Sequence, residues 1–182
     1  YAALCVNYPV HARIALKHGL FNGENPMVRQ IICLEKAQNT SEGEGKRQNF
    51  SVEEALEGVG KRDRKQILRF FLKHKYHSRA DGILLTQHFA NLGIMTKKKQ
   101  MELYQRLREQ LPQDIRLIVK RHPDDTLDYN GIFPKAKIIK EAFPAELLPY
   151  VFFHKPGIIY TFDSSGCENL TKHFEIKKIE RE

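Results

Sequence analysis

Cysteine is scarce in this chain, and the little there is does not cluster. Cys5, Cys33 and Cys167 are the three cysteines, with no Cys-x-x-Cys pair and no Cys/His ligand spacing, so neither a disulfide framework nor a zinc site is implied. A reducing compartment is the simpler setting. Long hydrophobic runs are missing as well: nothing approaches the ~20 apolar residues that span a bilayer. The first residues lack a basic start followed by an apolar block, so no signal peptide is read there, and an opening on Tyr1 rather than Met suggests a fragment. There is no Walker loop, no Gly-x-Gly-x-x-Gly fingerprint and no Gly-x-Ser-x-Gly of hydrolases. Internal repeats and low-complexity tracts are absent too.

What is present is an ordinary globular composition. The 182 residues, 41% apolar and 29% charged, suffice for one domain of about 100–150 residues plus an extra segment. Lys and Arg number 30 against 22 Asp and Glu, a net charge of +8, which favours anionic partners: nucleic acid, acidic headgroups, or a phosphorylated or carboxylated substrate. The basic clusters, Lys61 to Lys65, Lys97 to Lys99 and Lys177-Lys178, are scattered, and each reads on its own as a solvated face.

Residues 1–78 read as an N-terminal partial or linking segment with helices. Ala2–Val6 and Gln30–Leu34 are short apolar runs that suit strands, and Val10–Lys17 suits a helix closed by Gly19. Residues 38–51 are polar and glycine-bearing, and predict a flexible loop or linker. Ser51 with Glu54 has capping-box spacing for a helix starting at Val52, and a second helix with a broad apolar face is expected over Arg62–His74.

From residue 79 to residue 182 the pattern becomes regular. Strands are predicted at Ile83–Thr86, Ile115–Val119, Ala136–Ile139, Ile158–Phe162 and Phe174–Ile179. Between them fall a helix over Lys97–Leu111, capped by Thr96, stopped by Pro112 and facing inward with Met101, Leu103, Tyr104 and Leu107, a helix over Ala145–Phe153, and a short helix opened by Ser164-Ser165-Gly166. Alternating strands and helices with short loops predict an α/β fold, a Rossmann-like doubly wound parallel sheet.

Polar residues collect at the predicted strand ends, where open α/β sheets bind ligands. His122 ends a strand and precedes Pro123, which holds it extended and aims it over the sheet edge; Lys120 and Arg121 add cations beside it. A strand-end histidine bonded to a carbonyl would explain the spacing equally well. Ser164 and Ser165 fit either phosphate at a helix start or plain N-capping. Glu146 fits either a favourable first-turn carboxylate or an acceptor for ribose hydroxyls. Asp124, Asp125 and Asp128 read as turn residues rather than as a metal site.

In order, Lys120-Arg121-His122-Pro123-Asp124-Asp125, Phe143-Pro144-Ala145-Glu146-Leu147-Leu148 and Asp163-Ser164-Ser165-Gly166 resemble the C-terminal nucleotide-binding half of bacterial sialyltransferases and polysialyltransferases, glycosyltransferases of the two-domain GT-B type. The run Ile83-Leu84-Leu85-Thr86-Gln87 is similar to the first strand of that half, so the resemblance covers residues 80–175. It implies transfer of sialic acid or a related sugar from CMP-sialic acid to a glycan acceptor, lipooligosaccharide or capsular polysaccharide, in the cytoplasm and peripherally at the inner face of the membrane. It implies that His122 contacts the donor phosphate and assists departure of CMP, that Ser164 and Ser165 bind the same phosphate, that Glu146 holds the ribose, and that Lys120 and Pro123 flank the nucleotide. No metal and no other cofactor is implied, and no nucleic-acid partner. The family's general base lies in an acidic-acidic-Gly motif of the N-terminal half. Here Glu42-Gly43-Glu44-Gly45, Glu57-Gly58 and Asp81-Gly82 lack the second acid, so the base is expected outside this chain. A UDP- or GDP-sugar enzyme, or a non-catalytic α/β module with a basic surface, are the competing readings.

Overall fold

The computed structural model describes residues 9–20, 25–34, 44–162, 167 and 170–180. The chain divides into two compact units, Tyr1–Ala55 and Leu56–Glu182. The first contains helix α1 (Pro9–Lys17), strand β1 (Ile31–Leu34), a 3-10 turn (Glu44–Lys46) and strand β2 (Arg47–Phe50). Gly19 closes α1 with a φ of 61°, the left-handed geometry that glycine adopts without a Cβ penalty. The linker expected over residues 38–51 is corrected in part: β2 occupies its last residues and pairs in parallel with β1, Ile31 opposite Arg47 and Leu34 opposite Phe50. A polar four-residue strand carries no hydrophobic signature, and only its partner reveals it. Ala2–Val6 and residues 38–43 lie outside the described residues.

Helix α2 (Val52–Gly58) begins where Ser51 Oγ accepts the Glu54 N–H at 3.1 Å. Helix α3 (Lys61–Phe71) follows, shorter than the sequence pattern implies and with no buried residue; Phe70 remains 84% exposed. Its hydrophobic stripe is therefore only half covered.

The second unit is built on a five-stranded sheet of β3 (Gly82–Leu85), β4 (Leu117–Lys120), β5 (Lys137–Ile139), β6 (Ile158–Thr161) and β7 (Glu175–Lys178). The strands run parallel in the order β5-β4-β3-β6-β7. The chain proceeds from β3 outward to β5, then returns to the other side of β3. That reversal makes a topological switch point between β3 and β6. Every residue of β3 and β4 is buried, as expected where helices cover both faces of a parallel sheet. On one face Leu84, Val119 and Tyr160 lie in register and pack with Leu103, Tyr104 and Leu107 of helix α4 (Lys97–Gln110). The edge strands β5 and β7 are lysine-bearing and partly exposed, a composition that discourages pairing with other chains. The chain thus has the Rossmann-like α/β fold that its pattern predicts.

Two details differ from the sequence pattern. Met101 is 38% exposed while Gln100 is 1% exposed, so the helix turns a polar residue inward; the site below explains why. After β5, the expected helix over Ala145–Phe153 is a 3-10 turn (Ala145–Leu147) running into a short α5 (Leu148–Val151).

Gly82 sits beneath the ring of Tyr160. A Cβ there would stand 2.7 Å from Tyr160 Cε2, and the ring is held in the core. Gly82→Ala is expected to destabilise the fold by ~1–3 kcal/mol, read as a lower urea midpoint at unchanged slope.

Candidate functional site

A cavity of about 430 Å³ opens at the carboxyl edge of β3 and β4, within the range of roughly 300–1,000 Å³ common for small-molecule sites. Leu85, Thr86 and Gln87 line it from the end of β3, and Lys120, His122 and Pro123 from the end of β4. Ala142 to Ala145 close the opposite wall, with Phe71 of α3 alongside. Lys120 and His122 both reach the cavity, while Arg121 between them does not line it. That is the two-residue alternation of extended chain, so of the three neighbouring cations two face the cavity.

Among the described residues the buried polar side chains are Thr86, Gln100, Lys120, Asp125 and Thr161. The first four gather at this edge. Asp125 is their centre. One carboxyl oxygen accepts from Gln100 Nε2 at 3.2 Å and Leu127 N at 3.0 Å, and the other from Thr86 Oγ1 at 3.1 Å and the Tyr129 hydroxyl. Thr86 Oγ1 in turn accepts the His122 backbone N–H at 3.0 Å. The turn that places Asp125 is closed by its own N–H to the His122 carbonyl at 3.0 Å, with Pro123 at the second position where its φ suits. Asp125 is therefore no solvated turn residue, contrary to expectation: it ties β3, β4 and α4 together beneath the cavity. Asp128 does hold a turn, accepting from Asn130 N at 3.1 Å.

Helix α4 supports the loop after β3 from below. Gln100 Nε2 donates to the Gln87 carbonyl at 3.0 Å, Gln100 Oε1 accepts from Ala90 N at 2.7 Å, and the Tyr104 hydroxyl accepts from Gln87 N at 2.8 Å. These bonds explain the inward glutamine. Buried backbone groups of an irregular loop need partners, and a side chain one helical turn from Tyr104 supplies them.

The electrostatics follow from burial. Lys120 is 6% exposed, its ammonium lies 4.2 Å from the centre of the Phe143 ring, and burial pushes its pKa down to about 8 against the pull of Glu141 and Glu146. Burial also pushes the His122 imidazole below its ordinary value, and His88 adds to that shift. His122 Nδ1 accepts the Asp124 N–H at 3.2 Å, which assigns the ring proton to Nε2. An Nε2–H donor and a lysine ammonium thus border one cavity, a pair suited to an oxyanion.

Of the residues singled out by sequence, Lys120, His122 and Pro123 meet at this cavity. Glu146 is half-buried in the 3-10 turn behind Ala145, outside the lining but close enough for its charge to act on Lys120. Ser164 and Ser165 lie outside the described residues; Phe162, next after β6, is the last described residue before them. Sequence reasoning gives Thr86 and Gln100 no role at the site and reads Asp125 only as a turn residue. Gln100 had left a signal, a polar residue at the inward spacing of Leu103, Tyr104 and Leu107. Among the described residues no helix is long and apolar enough to cross a membrane.

The chain is similar to an uncharacterized protein of Haemophilus influenzae, 35% identical over 84 residues that make up 46% of this chain and 27% of that protein. The match therefore spans well under a third of that relative's length. No solved structure matches the chain. The sequence pattern of glycosyltransferase family 52 matches residues 60–181, a span that holds the five-stranded sheet and the cavity at its edge, and on that match the chain belongs to glycosyltransferase family 52.

Proposed function

We propose that this chain contributes the donor-binding half of a GT-B sialyltransferase, with residues 79–182 as the nucleotide-sugar domain and 1–78 as a linking segment. The reaction is transfer of sialic acid or a related sugar from a CMP-activated donor to a glycan acceptor. A lipooligosaccharide or capsular polysaccharide acceptor, and a cytoplasmic setting at the inner face of the membrane, belong to the same proposal. The observation that carries it is the Lys120–His122 pair on a cavity at the carboxyl edge of a parallel sheet, in a chain of this family.

In that reading the bond from the anomeric carbon to the phosphate oxygen breaks, and negative charge grows on CMP. Lys120 and His122 Nε2–H stabilise it; burial against Phe143 holds Lys120, and the Asp125 network holds the His122 backbone through Thr86, so less reorganisation is needed. Glu146 takes the ribose hydroxyls, and Ser164 and Ser165 supply further donors to the phosphate. The base that activates the acceptor hydroxyl comes from outside this chain.

Titration calorimetry with CMP, UMP and GMP tests the proposal. CMP is expected to bind preferentially, and His122→Ala and Ser165→Ala each to weaken it by about tenfold, the worth of one charge-assisted hydrogen bond. Indifference among the three nucleotides, or salt-sensitive binding to DNA or RNA instead, would overturn it.

A further inference from the structure

His88 belongs to no part of the site as assigned so far, yet its ring lies flat against His122. The centroids are 3.8 Å apart and the planes 19° from parallel. His88 follows β3 in the loop that Gln100 and Tyr104 hold from beneath, and its own carbonyl accepts the Leu92 N–H at 3.1 Å. The stack is therefore mounted on a fixed support. His88 Nδ1 is buried with no hydrogen-bond partner, so no bond at that atom orients the ring.

His122 needs such a neighbour. Its backbone is anchored to Thr86 and one ring edge to the Asp124 amide, but rotation about the bond joining ring and Cβ is broad and roughly two-fold. A flat ring against one face holds the imidazole to one plane, and within that plane the Asp124 amide selects which of the two flips is kept. We propose that His88 is a positioning residue for His122: stacked face to face, it holds the imidazole so that Nε2–H, the edge not bonded to Asp124, serves as the donor to a phosphate oxygen in the cavity. The identity of that anion rests on the nucleotide reading above; the stacking role does not.

Ligand atoms of His88, His122 and Asp124 fall within 4.8 Å of one another, but this is a poor cation cage. Near-parallel imidazoles direct their in-plane lone pairs side by side, and one ring would have to leave the stack before both could bind one ion. The charged and titratable groups acting on His122 are His88 from the β3 loop, Lys120 from β4, and Asp124 and Asp125 from the turn.

The test uses the whole chain and two substitutions, His88→Ala, which removes the ring, and His88→Phe, which keeps a flat one. Nitrogen-15 imidazole spectra report the tautomer of His122, and calorimetry reports CMP affinity. The expected result is a dominant Nε2–H form in the wild type and in His88→Phe, and a mixed form in His88→Ala. CMP affinity should fall about tenfold in His88→Ala and stay within about threefold in His88→Phe, one oriented hydrogen bond being at stake. The His122 titration midpoint should rise in both variants, because both remove His88. A His122 signature unchanged in His88→Ala would overturn the proposal, as would equal losses of affinity in the two variants. Failure of the wild type to bind CMP would defeat the nucleotide reading alone, since the spectra still decide the stacking role.

Discussion

Asp125→Ala is expected to lose ~3–5 kcal/mol of stability, the range for removing one member of a buried, fully bonded polar cluster. The loss is large because the carboxyl group is shared. Gln100, Leu127, Thr86 and Tyr129 all donate to it, and an alanine would leave those four donors facing a cavity without water-like partners. Asp125→Asn should be milder, about 1–2 kcal/mol, because the Thr86 and Tyr129 hydroxyls can turn and accept from the new amide while Gln100 and Leu127 keep an oxygen. Urea unfolding of the three proteins checks this ordering, with an unchanged slope showing that the folded state alone is affected. An Ala variant as stable as the wild type would mean that the network contributes nothing. The site should respond as well: with Thr86 released, the His122 backbone loses its anchor, and nucleotide affinity is expected to fall even at temperatures where the variant is folded.

Lys120→Met should do the reverse, removing binding while sparing the fold. A buried ammonium loses hydration that one ring face and two carboxylates restore only in part, and that deficit is what depresses its pKa to about 8. Methionine of similar length removes the deficit, so the urea midpoint is expected to hold or rise. CMP affinity should drop by about 10–100-fold with the loss of a charge-assisted contact to phosphate. The pH dependence has a definite sign. A phosphate raises the lysine pKa on binding, so the lysine's contribution to affinity is complete below the free-state value of about 8 and is lost as pH rises beyond it. Wild-type affinity should therefore fall by about tenfold between pH 7 and pH 9, while Lys120→Met shows no such decline. A wild-type profile that is flat over that interval would remove Lys120 from the site.

The parallel sheet was readable from residues alone because buried strands advertise themselves. Ile83-Leu84-Leu85 and Leu117-Ile118-Val119 are apolar on both faces, and only a strand covered on both sides tolerates that. The His122-Pro123 dipeptide was readable for a similar reason, since proline restricts the residue before it and marks where the strand must end. Arg47–Phe50 carried no such mark, being polar and short, and its strand exists only through β1.

Chain order alone settled that Lys120 and His122 stand at one strand end, and the alternation of extended backbone sends both to the same side. It could not say that Asp125 turns inward while Asp124 and Asp128 stay in water. That choice depends on Gln100, 25 residues away, and Thr86, 39 residues away, arriving at the same place. Nor could it reveal the His88–His122 stack, because two histidines in the loops that follow neighbouring strands meet only when the register Leu85 opposite Lys120 is set. Local patterns specify what a segment needs, burial or a turn. Which side chains answer one another across the sheet is decided by register and by the helix beneath, and those are properties of the packed chain.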